Sequence, residues 1–158
     1  MTAPASVLAT LLARRQTLAV AESLTGGLLA ATIVDVPGAS RVFRGGLVVY
    51  ATDLKASLAG VPADLLAQRG PVDSDVAMAL AEGARQRCGA DWGLATTGVA
   101  GPDPQNGMPV GTVFVGVAGP GAPASAQRLA LDGSRAAIRA GTVAAALDLL
   151  AAALAAKI

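Results

Sequence analysis

Apolar and polar positions along the chain switch between two periods, one helical and one extended. Residues 5 to 15 set Val7, Leu8, Leu11 and Leu12 on one side of a 3.6-residue repeat and predict an opening helix. The apolar run Thr17 to Ala21 predicts a short strand. A Thr25-Gly26-Gly27 turn then opens a second helix through about Val34, and Pro37-Gly38 ends that unit. Gly46 to Tyr50 predicts a second strand. Asp53 to Leu58 predicts a short helix begun by Thr52 or Asp53 as its cap, and Pro62 starts another helical turn. Ser74 to Cys88 carries Val76, Met78, Ala79, Leu80 and Ala84 as the apolar positions of a long helix. Three further strands are expected at Trp92 to Thr97, Val110 to Ala118 and Ala126 to Leu131. The last two flank Gly119-Pro120-Gly121-Ala122-Pro123, a link that suits an antiparallel hairpin. An Ala/Leu helix from Arg135 to Ala156 closes the pattern.

Strands that alternate with helices predict an α/β protein, a three-layer α/β/α sandwich. The hairpin of the fourth and fifth strands makes its sheet of about five strands mixed. No repeat or linker divides residues 1 to 158, so one domain is expected.

Composition removes several function classes. Hydrophobic residues make up 53% of the chain, and much of that is alanine. The stretch from Ala140 to Ala156 comes nearest to a membrane span, but Asp148 interrupts it and it is shorter than the ~20 apolar residues a spanning helix needs. A buried or interface helix is expected there, with self-association into a homo-oligomer as one use of its apolar face. Net charge is +1, the arginines are scattered, and four aromatic residues (Trp 1, Tyr 1, Phe 2) are too few for a base-stacking platform. Nucleic acid and membrane are therefore not expected partners. No signal peptide is readable, and one cysteine, Cys88, excludes an internal disulfide; the expected location is cytoplasmic. The chain has no histidine, which excludes an imidazole base and, with the single cysteine, most zinc sites. No metal or cofactor is expected.

The remaining polar residues gather at the ends of the expected strands. Ala21-Glu22-Ser23-Leu24-Thr25-Gly26-Gly27 is a strand, a tight turn and a helix start, at the edge where open α/β sheets hold ligands. Ser23 there could attack a carbonyl while free N–H groups of the turn receive the oxyanion. The same pattern also fits a serine or threonine that only caps the helix. Tyr50 is the single tyrosine and ends the second strand. Of twelve basic residues only Lys55 and Lys157 are lysines, and arginine stays protonated, so Lys55 is the one plausible amine base. An exposed surface lysine is the plain alternative. Thr96-Thr97-Gly98 and the loop that follows bring hydroxyls and glycines to the same edge. Arg135 and Arg139, at the start of the last helix, could hold a phosphate or simply meet solvent.

These motifs, in this order, resemble the CinA C-terminal domain family. Ala21 to Gly27 is similar to its AES-x-TGG signature. Gly46 to Tyr50 with Lys55, Gly98-Val99-Ala100-Gly101-Pro102, Pro109 to Val113, and Gly133-Ser134-Arg135 with Arg139 continue the likeness over nearly the whole chain. It is nearest to the stand-alone form, without the nucleotide-binding N-terminal domain of longer CinA proteins. The resemblance implies hydrolysis of nicotinamide mononucleotide to nicotinate mononucleotide and ammonia, with a small-molecule pyridine nucleotide as partner. It implies Ser23 as nucleophile and Lys55 as base, with Tyr50 the third catalytic residue, its hydroxyl an alternative to Lys55 as proton donor to the departing ammonia. Thr25, Gly26, Gly27, Thr97, Gly98, Arg135 and Arg139 are expected around the substrate. A non-catalytic nucleotide-binding module, or a subunit that joins a separate CinA N-terminal protein, would use the same turns. Two positions depart from the family pattern. Ser134 stands where an acidic or amide residue is usual, which bears on how Arg135 is held. Asp73 stands where serine is common, which reads as an exchange of helix caps.

Overall fold

The computed structural model describes residues 1–156. Lys157 lies outside them. Along the chain run α1 (Ala3–Ala13), β1 (Leu18–Glu22), α2 (Leu28–Val34), a 3-10 turn (Ala39–Arg41), β2 (Phe43–Val48) and α3 (Thr52–Ser57). They are followed by α4 (Ala63–Arg69), α5 (Ser74–Cys88), β3 (Trp92–Gly98), β4 (Thr112–Gly119), β5 (Ala122–Ala130) and α6 (Arg135–Ala155). The five strands form one sheet in the order β2-β1-β3-β4-β5. β1 pairs in parallel with β2 and β3, whereas β3–β4 and β4–β5 are antiparallel, so the sheet is mixed and closes on the expected hairpin.

Strand periodicity sorts the core into two layers. Leu18 and Val20 of β1, Leu94 of β3, and Val113, Val115 and Val117 of β4 face one way, onto α1, α2 and α6. Ala19 and Ala21 of β1 and Ala95 of β3 face the other way, onto α5. That second face is small for a reason. A Cβ on Gly93 would stand 1.9 Å from the Ala81 carbonyl oxygen of α5, and one on Gly116 would stand 2.4 Å from that of Ala77. Glycine at both positions lets the α5 backbone lie directly on the sheet.

Several boundaries differ from expectation, among them the start of β5, which is Ala122 rather than Ala126. β2 covers Phe43–Val48 rather than Gly46 to Tyr50. Val49 and Tyr50 leave the sheet, although the Val49 N–H still reaches the Glu22 carbonyl at 2.8 Å. The cap position of α3 is Ala51, with Thr52 and Asp53 inside the helix, and no side chain caps it. The last helix also exceeds the apolar stretch read from the sequence. α6 has 21 residues and is long and apolar enough, by length and composition, to cross a membrane. Its Ile138, Val143, Leu147, Leu150 and Leu154 are buried in the larger core layer.

Candidate active site

β1, β2 and β3 end together, and their exits form the floor of a polar pocket of about 180 Å³. Ser23, Tyr50, Lys55, Thr97, Gly98 and Arg135 all line it. Six separate segments of the chain thus converge there: the exits of β1, β2 and β3, helix α3, the loop before α5 through Pro71 and Val72, and the first residue of α6.

The turn after β1 is fixed on several sides. Glu22 is fully buried, and its carboxylate accepts the N–H groups of Leu29 at 2.8 Å and Ala30 at 3.0 Å. The carboxylate therefore satisfies donors at the start of α2 that no intrahelical carbonyl can reach, and its charge complements that helix end. Parity explains the reach, because Leu18, Val20 and Glu22 share the face on which α2 packs. Thr25 and Thr96 join through their hydroxyls at 2.8 Å, and Ser23 N–H donates to the Thr96 carbonyl at 3.0 Å. Gly26 and Gly27 turn the chain with φ of 57° and 106°, a region that suits glycine. The Gly26 N–H returns to the Ser23 carbonyl at 3.1 Å. The N–H groups of Leu24 and Thr25 donate to no group among the described residues.

Lys55 enters from α3. Its side chain is 1% exposed, and its Nζ lies 2.9 Å from Ser23 Oγ, 2.8 Å from the Val49 carbonyl and 3.2 Å from that of Tyr50. Among the described residues no carboxylate forms an ion pair with it. Burial without a counter-charge penalises the ammonium and lowers its pKa from 10.5 to about 8. A neutral lysine has two N–H donors and one lone pair. Here two carbonyls can take the N–H groups, which leaves the lone pair for the Ser23 hydroxyl. The β2 exit makes this possible, since only a chain that has left the ladder can turn both of those carbonyls toward an amine.

The other expected site residues divide in two. Tyr50 is 60% exposed at the pocket rim, and its hydroxyl accepts from Arg135 Nη2 at 3.2 Å. Arg135 Nη1 also donates to the Gly101 carbonyl. Ser134 caps α6 by accepting the Ala137 N–H, so the residue in the departing position starts the helix that carries Arg135. Asp73 caps α5 by accepting from Asp75 and Val76, as its exchange for serine implies. Thr97 lines the pocket, but its hydroxyl donates to the Pro71 carbonyl at 2.6 Å. Thr25, Gly26, Gly27 and Arg139 lie outside the pocket lining. Arg139 instead donates from Nε to the Leu24 carbonyl and from Nη2 to that of Thr25, each at 2.9 Å. Glu22 was not among the expected residues. Its signal was a carboxylate in an otherwise apolar strand, one position before the serine.

This site belongs to an α/β sandwich with a buried amine against a serine hydroxyl. The chain belongs to the CinA C-terminal domain family, whose model matches residues 2–154. Among curated relatives it is 56% identical over 144 residues to a CinA-like protein of Frankia casuarinae, covering 91% of this chain and 33% of that protein. It is 51% identical over 150 residues to a CinA-like protein of an Anaeromyxobacter species, covering 93% and 36%. The chain thus spans about a third of the length of these relatives. A CinA superfamily protein of Klebsiella pneumoniae superposes with a TM-score of 0.92 at 30% identity, covering 97% of this chain and 96% of that one. The competence/damage inducible protein CihA of Agrobacterium tumefaciens gives 0.87 at 30% identity, covering 96% of each chain.

Proposed function

We propose that the chain is an amidohydrolase that converts nicotinamide mononucleotide to nicotinate mononucleotide and ammonia. The observation that carries this reading is the 2.9 Å approach of a buried lysine, without an ionic partner among the described residues, to Ser23 Oγ. A lysine kept only as a structural cation would be expected beside a carboxylate. One whose pKa is lowered to about 8 can accept a proton near neutral pH. The substrate follows from the family resemblance, and the electron-poor carboxamide of a pyridinium ring suits a serine nucleophile that works without metal.

The steps balance as an acyl transfer. Lys55 takes the Ser23 proton as Oγ bonds to the carboxamide carbon. The N–H groups of Leu24 and Thr25 receive the oxyanion. The C–N bond breaks, and the proton on Lys55 goes to the departing nitrogen, which leaves as ammonia. Water, deprotonated by Lys55, then cleaves the ester and restores the Ser23 hydroxyl. Arg135 at the pocket rim supplies a cation for the 5′-phosphate.

Ammonia release from the mononucleotide, compared with its riboside, tests the chemistry and the phosphate contact together. Turnover of the mononucleotide with a much higher KM for the riboside is expected. Binding of the mononucleotide without ammonia release would favour the non-catalytic nucleotide-binding module.

A further inference from the structure

The sequence grouped Arg139 with substrate contacts, but its guanidinium faces the back of the serine turn. Nε holds the Leu24 carbonyl and Nη2 holds the Thr25 carbonyl, each at 2.9 Å. A peptide unit is planar, and its C=O and N–H point in opposite directions. Holding the Leu24 carbonyl on Arg139 therefore directs the Thr25 N–H away from the guanidinium. The Gly26 N–H on the Ser23 carbonyl does the same for the Leu24 N–H, since that carbonyl and that N–H share one peptide unit. Both N–H groups, like that of Gly27, donate to no group among the described residues, and those of Leu24 and Thr25 are the two whose direction these carbonyl bonds fix. A cation on a peptide carbonyl also draws electron density from the amide and strengthens its N–H as a donor.

We propose that Arg139 is a positioning residue that aims and polarises the Thr25 N–H as an oxyanion donor for Ser23. The inference rests on the amidase reading above and deepens it. Arg139 itself meets neither substrate nor reacting atoms, and its contribution passes through the backbone of the turn. Gly26 fits this arrangement through its φ of 57°, which disfavours a side chain; a Cβ there would meet Arg139 Nη2 only at an ordinary contact distance of 3.6 Å. Arg135, four residues earlier on α6, has a different task at the pocket rim.

Steady-state kinetics of Arg139→Gln and Arg139→Lys on nicotinamide mononucleotide, with a pH profile for each, test the proposal. Loss of one oxyanion donor typically lowers kcat by about 100-fold or more. Arg139→Gln is expected to lose kcat on that scale while KM stays within about threefold and the pH midpoint set by Lys55 does not move. Arg139→Lys keeps a cation and a donor and is expected to fall between Arg139→Gln and wild type. If Arg139→Gln does not fold, Arg139→Lys carries the test, with reduced kcat at unchanged KM and midpoint as the expected result. A raised KM at unchanged kcat in either variant would make Arg139 a substrate contact and overturn the proposal. A shifted midpoint would show general collapse of the site and would also overturn it. Wild-type protein that releases no ammonia would overturn the amidase reading itself, an outcome separate from any change confined to Arg139 variants.

Discussion

The Thr97 hydroxyl donates to the Pro71 carbonyl at 2.6 Å and ties the end of β3 to the loop before α5. Both residues are buried. Thr97 thus shapes the pocket wall through a protein bond, and its hydroxyl is already committed before any ligand arrives. Thr97→Val keeps the shape and leaves a buried carbonyl unpaired, a loss of about 1–3 kcal/mol. Urea unfolding should report that loss, and Thr97→Ser should recover most of it. Equal stability of the valine and serine variants would deny the hydroxyl this role.

Activity should rise with pH through the titration of Lys55. Its neutral form is the base, and burial brings its pKa down to about 8. The kcat/KM profile is expected to climb tenfold per unit below that midpoint and level above it. Stability moves the same way. Between pH 8 and 10.5 the unfolded chain binds the proton at this position and the folded chain does not, so folding becomes easier as pH rises through that window. The penalty is fully present below pH 8 and fades as pH rises toward 10.5. Wild type should therefore gain stability relative to Lys55→Met between pH 8 and 10. A kcat/KM that falls as pH rises from 6 to 8 would oppose this account.

Glu22 holds the start of α2 with two backbone bonds from a fully buried carboxylate. Glu22→Gln preserves its size but turns an NH₂ toward one of the two N–H donors. A loss of about 2 kcal/mol is expected. For a domain of this size that corresponds to a melting temperature lower by about 4–8 °C, measurable by calorimetry. Because the same turn carries Ser23, kcat should fall as well. Unchanged melting would mean the pair of bonds contributes little.

The glycine contacts under α5 give a prediction outside the site. Gly116→Ala puts a methyl group 2.4 Å from the Ala77 carbonyl oxygen, and α5 must move to admit it. Overpacking of this kind costs about 1–3 kcal/mol, occasionally more. Denaturant titration of Gly116→Ala should show a loss in that range, and none would mean α5 can shift freely.

The fold class was readable because period-2 and period-3.6 segments alternate cleanly and the Gly-Pro link marks the hairpin. The end of β2 was not, since Gly46 to Tyr50 is uniformly apolar while Val49 and Tyr50 leave the sheet to present carbonyls to Lys55. Ser23, Lys55, Tyr50 and Arg135 could be picked out as residue types at strand and helix ends, and folding brings them to one pocket. The tasks of Thr97 and Arg139 were hidden for a common reason. Each bonds to a backbone carbonyl from a distant part of the chain, and carbonyls leave no mark in a sequence.

The amidase chemistry depends on Ser23 as nucleophile and Lys55 as its base. Ammonia release from nicotinamide mononucleotide by wild type, Ser23→Ala and Lys55→Met, each first shown to be folded, tests it most directly. Turnover by wild type and a loss of at least about a thousandfold in both variants are expected, since residues that act as a unit fail together. Ammonia release by Ser23→Ala at the wild-type rate would contradict it.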